Sequence, residues 1–150
     1  MTATEKFSII VLFAMFDLLG IIASGFVAER YGNIIPIVAS FILFIIAALL
    51  VHFGLSSLTG LAALAVLSGL AHGIVYTPEV PYLAELFPTL VRNAGVSASY
   101  QIGNALIAGT ALYVMTAILG FGRIWAGAYL AVLALLGLVG VIIYRPRWGQ

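Results

Sequence analysis

Residues 76–95 read Tyr76-Thr-Pro-Glu-Val-Pro-Tyr-Leu-Ala-Glu-Leu-Phe-Pro-Thr-Leu-Val-Arg-Asn-Ala-Gly95, and they differ from the sequence on either side. They hold two of the five acidic residues and three of the five prolines of the chain, whereas the flanking sequence is almost unbroken apolar helix material. A charged link rich in proline between two apolar runs predicts a membrane helix that ends in a short aqueous loop. We expect the next helix to begin at about Asn93.

The composition excludes most soluble folds. Of the 150 residues, 64% are hydrophobic and 7% are charged, whereas a soluble domain is about half apolar and about a quarter charged. Lipid must therefore surround much of the chain, which predicts an all-α integral membrane protein. The chain has no cysteine for a disulfide framework or a thiolate metal site, and its net charge of +1 offers no basic surface for nucleic acid.

Hydropathy predicts five membrane spans in one membrane domain, at about residues 7–28, 34–53, 58–80, 95–119 and 125–144. Each can cross a hydrocarbon core of roughly 30 Å at about 1.5 Å per residue. The first is too long for a signal peptide and carries Asp17 at its midpoint. Gly54, Ser56 and Ser57 mark the turn before the third span.

The basic residues predict the orientation. With five spans, one side of the membrane receives more of them than the other, namely Arg30, Arg92, Arg145 and Arg147 against Lys6 and Arg123. The positive-inside rule then predicts a multi-pass protein of the cell membrane with its amino terminus outside and its carboxyl terminus in the cytoplasm. Five aromatic residues are expected at the membrane interfaces: Tyr31, Tyr82, Trp125, Tyr144 and Trp148.

Two short motifs lie two spans apart on the predicted cytoplasmic side. The first follows the first span and reads Gly25-Phe-Val-Ala-Glu-Arg-Tyr-Gly-Asn33. In it, Gly25 permits the close approach of a helix, and Gly32 permits a tight reversal. The second follows the third span and reads Glu85-Leu-Phe-Pro-Thr-Leu-Val-Arg-Asn-Ala-Gly95. Either motif alone is compatible with an ordinary cytoplasmic loop.

Together the motifs resemble the G-x-x-x-D-R-x-G-R and E-x-x-P-x-x-x-R-x-x-G loops of the major facilitator superfamily, and the resemblance covers nearly the whole chain. The matching residues, which act as cytoplasmic gates in that family, are Gly25, Glu29, Arg30, Gly32, Glu85, Pro88, Arg92 and Gly95. The chain departs from the pattern at Glu29, where Asp is usual, and at Asn33, where Arg is usual. Loss of that Arg weakens the expected network of ion pairs.

The resemblance also predicts a place in a longer transporter. The third span lacks the intramembrane Arg usual in the amino-terminal half of the family, and the chain stops soon after its last span. Both features match spans eight to twelve of a twelve-span protein, that is, part of its carboxyl-terminal half. Residues 84–89 and 96–105 look most like the metabolite:proton symporters, whose members carry organic acids, betaines or similar solutes. The organic-ion and aromatic-acid branches share the Glu-x-x-Pro-Thr-x-x-Arg core.

This resemblance implies proton-coupled symport of a small organic solute by alternating access. It places the second and fifth spans against lipid and the third and fourth near the transport path. It also implies that Glu29 pairs with basic groups and with the amino end of the fourth helix. Because the other transporter half is missing, we expect a part of a larger or split transporter. The alternatives are a small membrane scaffold or assembly subunit, and an inactive truncated fragment.

Asp17 is the strongest single candidate for a functional residue. An acid at mid-bilayer costs about 2.5–3.5 kcal/mol on insertion scales, so it normally faces a partner, a cavity or a water path. Asp17, Gly20 and Ser24 fall on one helix face, which is therefore predicted to point inward. Loss of water favours the protonated carboxyl group, so Asp17 is a candidate proton site. The alternative is an acid that only makes a helix contact.

Two further polar faces are candidates for the path of a solute or proton. In the third span, His72, Tyr76 and Glu79 share a face, and His72 could relay a proton or bind a solute carboxylate. The alternatives are that His72 only packs between helices and that Glu79 is only solvated. No function is predicted for His52, which lies at an interface. The fourth span repeats small and polar residues at helical spacing: Ser97, Gln101, Asn104 and Ala108. Two interpretations stay open: these residues line the transport path, or they form hydrogen bonds that hold neighbouring helices together. The sequence indicates no enzyme, metal site or cofactor.

Overall fold

The computed structural model describes residues 2–53 and 57–144, and within these ranges the chain is all helix. The elements are α1 (Ala3–Tyr31), α2 (Ile34–His52), α3 (Leu58–Leu86), α4 (Arg92–Gly103), a π-helical turn (Asn104–Ala108), α5 (Gly109–Phe121) and α6 (Arg123–Ile143). From α4 to α5 the helix is continuous, so five helices are long and apolar enough to cross a membrane. The predicted fold class is confirmed. The expectations for Gly54, Ser56, Arg145, Arg147 and Trp148 fall outside the described residues.

Two local signals set the bounds of α1. Its start lies earlier than predicted because Thr2 forms a capping box with Glu5, in which each side chain bonds the other residue's backbone N–H. The spacing Thr-x-x-Glu could have predicted this start. At the other end, Gly32 adopts a φ of 85°, which permits the tight reversal expected between the first two spans.

The third helix is longer than the sequence predicted. Instead of ending at about residue 80, α3 continues through Pro78 and Pro81 to Leu86, and α4 begins at Arg92. The aqueous loop is therefore only residues 87–91, and Glu79 and Glu85 are helical. Each proline removes one backbone donor, but Pro78 is fully buried against neighbouring helices. That packing outweighs the local loss of hydrogen bonds.

The helices pack in the order α1, α3, α2, α6. Helix α2 packs between α3 and α6, and it leaves an apolar side with Ile35, Ile42 and Leu49 exposed, as the expected contact with lipid requires. Three of its five buried residues are small, and the Ser40 hydroxyl donates to the Ala71 carbonyl across 2.7 Å. Tyr82, expected at a membrane interface, lies near the end of α3 but is buried: it is 6% exposed, packs with Ile37 and Val141, and donates to the Tyr144 carbonyl. In the sequence, the small residues of the buried face of α2 are interspersed with bulky ones, so the hydropathy pattern did not reveal that face.

The closest helix crossing joins α1 to α3. Gly20 lies against the Leu70 carbonyl oxygen, which a Cβ atom at residue 20 would approach to 2.8 Å. A Cβ at Gly69 would overlap the Phe13 carbonyl, and one at Gly73 would overlap the Asp17 carbonyl. These positions, and not Gly25, provide the close approach, since Gly25 has only a Thr77 methyl group at 3.9 Å. The Gly69-x-x-x-Gly73 spacing is the sequence signal for this crossing.

The fourth span stands apart from the other helices. It has no buried residue, and it contacts only α3 before it and α6 after it. A cavity of about 560 Å³ separates it from the α2–α3–α6 group, with Phe44, Leu64, Ile107 and Leu133 among the lining residues. The surface of the fourth span is thus available to further helices or to lipid.

Candidate functional site

Asp17 and His72 form a hydrogen-bonded pair midway along two helices that are long and apolar enough to cross a membrane. Asp17 lies at the midpoint of the 29-residue α1, and His72 lies at the midpoint of the 29-residue α3. Their Oδ1 and Nδ1 atoms are 2.9 Å apart, and no other ion pair is found within residues 2–53 and 57–144, the Arg123 side chain left aside. The Asp17 side chain is 23% exposed and the His72 side chain 49%. Sequence reasoning singled out each residue but did not predict that they pair.

The helix crossing fixes the direction of the Asp17 side chain. The Asp17 backbone rests on Gly69 and Gly73, so no side chain holds the two helices apart at this level. One turn beyond Gly73 on α3, the Thr77 hydroxyl donates to the Ile21 carbonyl across 3.0 Å. Gly20 and Ser24 are buried, as the predicted inward face required. Asp17 lies at the edge of this interface, where its carboxylate reaches across to α3.

Aromatic and acidic side chains surround the pair. The rings of Phe13 and Tyr76 each have their centroid 6.0 Å from that of His72. Glu79, half-buried, lies one turn beyond Tyr76 on the same face of α3 as His72. We call Phe13, Asp17, His72, Tyr76 and Glu79 the Asp17–His72 cluster. No group of three or more residues in the described ranges is arranged to hold a metal ion.

The polar residues of the fourth span do not join this cluster. Gln101 and Asn104 are exposed, and the fourth span makes no contact with α1. The π-helical turn Asn104–Ala108 adds a residue to the helical repeat on which the predicted polar face depended. Gln101 and Asn104 therefore stay candidates for a path that these five helices do not complete.

The two loop motifs meet through a contact that the sequence did not predict. The Asn33 amide donates to Glu85 Oε1 across 2.7 Å, which joins the reversal after α1 to the end of α3. The uncharged Asn33 side chain thus donates to the Glu85 carboxylate at the position where the family pattern has a charged Arg. Glu29, by contrast, is exposed and has no hydrogen bond or ion pair among the described residues. Because α1 and α4 do not touch, the expected pairing of Glu29 with the fourth helix is absent.

The remaining motif residues act locally. The Arg30 guanidinium lies 5.4 Å from the centroid of the Tyr31 ring, an exposed cation–π contact. Arg92 Nε donates to the Phe87 carbonyl across 3.4 Å, and Pro88 lies exposed in the same turn. Gly95 lies against Phe87, whose ring a Cβ atom would approach to 2.5 Å. Apart from Glu85, the second motif therefore shapes its own loop.

Glu85→Ala is expected to loosen the contact between the two motifs, whereas Glu29→Ala is not. The Asn33–Glu85 hydrogen bond is exposed and is worth about 0.5–1.5 kcal/mol. Since the chain has no cysteine, spin labels can be attached at cysteines introduced for Ile35 and Thr89. Glu85→Ala should broaden the distribution of distances between these labels, and Glu29→Ala is the matched control. Equal broadening by both variants would contradict the assigned contact.

Comparison with known proteins gives one family match. The family model described as Major Facilitator Superfamily matches residues 1–147, which include all five spanning helices and both loop motifs. No curated protein and no solved structure matches the chain.

Proposed function

The chain belongs to the major facilitator superfamily, and from that premise we propose that it serves proton-coupled symport of a small organic solute. Solutes of the metabolite:proton symporter type, such as organic acids and betaines, are the proposed cargo. The family match supports membrane transport of a solute, and the Asp17–His72 pair is the observation that carries the proton coupling. In this proposal the pair is the proton site, with Tyr76 and Glu79 on the path.

The pair can take up one proton without breaking its hydrogen bond. A neutral imidazole with its hydrogen on Nδ1 donates to the Asp17 carboxylate, and the pair then carries a charge of −1. A proton added at Nε2 gives an imidazolium beside a carboxylate, and the pair becomes neutral. A neutral pair is easier to enclose in a low-dielectric environment than a net negative one. Proton uptake would thus favour the conformation in which the site is closed to water.

The exposed side of the pair supports a water-filled path. Nearly half of the His72 side chain is uncovered at the middle of the membrane. Hydrocarbon offers no hydrogen-bond partner to a ring nitrogen or a carboxylate, so intramembrane ionisable groups normally face a protein partner or water. We therefore place the transport path on the side of the α1–α3 crossing where Asp17 and His72 are exposed.

Further transmembrane helices are part of the proposal. Alternating access requires two bundles that move about a central site. In the described residues, α1 and α3 supply one wall of that site, and the fourth span exposes Ser97, Gln101 and Asn104 without covering it. We propose that other spans, in the same or another polypeptide, complete the cavity. The motifs at Asn33 and Glu85 would then lie at its cytoplasmic end.

His72→Gln tests the proposal, with His52→Gln as the control. His52 donates to the Ile124 carbonyl at a helix end and is remote in sequence from the pair. In vesicles from native membranes that contain a pH-sensitive dye, organic acids and betaines are added in turn, and luminal acidification is recorded. Glutamine cannot take up a proton, so proton uptake is left to the Asp17 carboxylate. His72→Gln is therefore expected to slow the solute-evoked proton entry at least about tenfold.

Two results would overturn the proposal. One is the absence of solute-evoked proton movement in the wild type with every solute of the panel. The other is equal activity of the His72→Gln and His52→Gln variants. In the first case, purification of the chain with an unrelated membrane complex would favour the scaffold or assembly subunit, for which the uncovered fourth span provides a docking surface.

A further inference from the structure

We infer that the Asp17–His72 cluster recognises a quaternary ammonium group, so that the transported solute is an organic cation or a zwitterion bound by its positive end. This inference rests on the proposed function and names the chemical class of its solute. Three features of the cluster carry it: the sign of its charge, the aromatic rings beside it, and the fixed position of its central carboxylate.

The charge of the membrane interior is negative. In the described part of the chain the basic residues lie at the ends of the spanning helices, whereas Asp17 and Glu79 lie within them; these basic residues are Lys6, Arg30, Arg92 and Arg123. His72 is the one nearby group that can become positive, and its Nδ1 atom is already bonded to Asp17. A solute carboxylate would therefore meet two acids and no unoccupied fixed cation. A solute cation would instead neutralise a charge that is costly to keep in the membrane.

Aromatic faces are the second feature. Phe13 on α1 and Tyr76 on α3 stand on either side of His72, each 6.0 Å from it between ring centroids. Tyr76 is 53% exposed, so much of its side chain is open to a ligand. A quaternary ammonium group cannot donate a hydrogen bond, and proteins hold it by aromatic faces together with carboxylates. The cluster contains both kinds of group: Phe13 lies one turn before Asp17 on α1, and Tyr76 lies one turn beyond His72 on α3.

The third feature is the rigidity of the site. Asp17 lies where Gly69 and Gly73 bring the α1 and α3 backbones into contact, so its carboxylate is held before a ligand arrives. Its side chain is 23% exposed, which leaves an edge for a ligand and shields the rest from water. A shielded, fixed carboxylate attracts a cation more strongly than one free in water. A small ammonium solute can approach from the open side, past Tyr76.

The test uses the two histidines of the full chain, labelled with ¹⁵N in lipid nanodiscs. Choline chloride is titrated at constant pH, with disodium succinate as the anionic probe and potassium chloride as the salt control. Choline is expected to shift the His72 ring signals and to leave those of His52 unchanged. His52 thereby reports in every sample that the chain is folded.

Variants assign the binding groups. Asp17→Asn is expected to raise the choline Kd at least about tenfold. Tyr76→Leu should raise it about threefold, whereas Tyr76→Phe, which keeps an aromatic face, should change it less than about twofold. Tyr31→Leu, at an exposed aromatic residue of α1 outside the cluster, is the matched control.

The outcomes separate this inference from the proposed function. If succinate shifts the His72 signals and choline does not, the ammonium inference is overturned while solute binding at the pair stands. If neither probe shifts them, the ammonium inference is likewise overturned, and proton-coupled transport is decided by the vesicle assay alone. A choline shift that persists unchanged in Asp17→Asn and Tyr76→Leu would show that choline binds elsewhere.

Discussion

Gly73→Ala is expected to lower the free energy of unfolding by about 1–3 kcal/mol, the usual cost of overpacking a close contact. The added methyl group would overlap the Asp17 carbonyl and approach the Ile21 backbone nitrogen to 2.9 Å. Both are backbone atoms, which cannot rotate away as a flexible side chain can. The α1 and α3 helices would have to separate along the closest crossing in the structure. Unfolding in sodium dodecyl sulfate, followed by tryptophan fluorescence, measures the change.

The control for this prediction is Gly140→Ala. Gly140 lies within α6, and a Cβ atom there would meet no atom within 4 Å. Alanine is also the better helix former, by about 1 kcal/mol in water. Gly140→Ala should therefore leave the unfolding free energy unchanged or raise it. Equal destabilisation by the two variants would mean that α1 and α3 do not cross at Gly73.

The sequence predicted the features that depend on composition and spacing. Apolar runs of sufficient length revealed five spans, and the spacing of Asp17, Gly20 and Ser24 revealed which face of α1 is buried. Gly32 was expected to reverse the chain, and its positive φ agrees. These features follow from local rules, because a bilayer imposes helical structure on any apolar span.

Features that depend on which helices are neighbours were not predictable in this way. The third span was expected to end at about residue 80, with a kinked continuation past Pro78 and Pro81 left open, and the helix in fact extends to Leu86 with Pro78 buried. Helix α2 was expected to lie against lipid, and its Ile, Leu and Phe residues concealed a second, buried face at Ser40 and Ala48 that packs between α3 and α6. Tertiary packing decides such cases, and a single sequence records it only weakly.

The candidate site was predicted in its parts but not in its pairing. Asp17 and His72 were each identified as costly polar residues at mid-membrane, which needs only hydropathy. Their contact depends on the register of α1 against α3, and the Gly69-x-x-x-Gly73 spacing sets that register. The Asn33–Glu85 contact has the same origin, since the crossing that aligns Asp17 with His72 also aligns the ends of the two helices.

Asp17→Asn is expected to reduce solute-evoked proton entry on the order of a hundredfold, equivalent to about 2.7 kcal/mol. The amide still accepts a hydrogen bond from His72 Nδ1, so the geometry of the pair survives. The charge does not survive, and a proton added at Nε2 then creates a net positive site instead of a neutral one. Proton uptake becomes unfavourable, and the conformational step that depends on it stops. The vesicle assay used for His72→Gln measures this loss.

A stability measurement on the same variant separates a proton site from a helix contact. Polar contacts between transmembrane helices contribute on average about 0.6 kcal/mol to stability. We therefore expect the unfolding free energy of Asp17→Asn to stay within about 1 kcal/mol of the wild type. Transport would be lost while the fold is kept. The opposite combination, retained proton entry with a less stable bundle, would identify Asp17 as an acid that only holds α1 to α3.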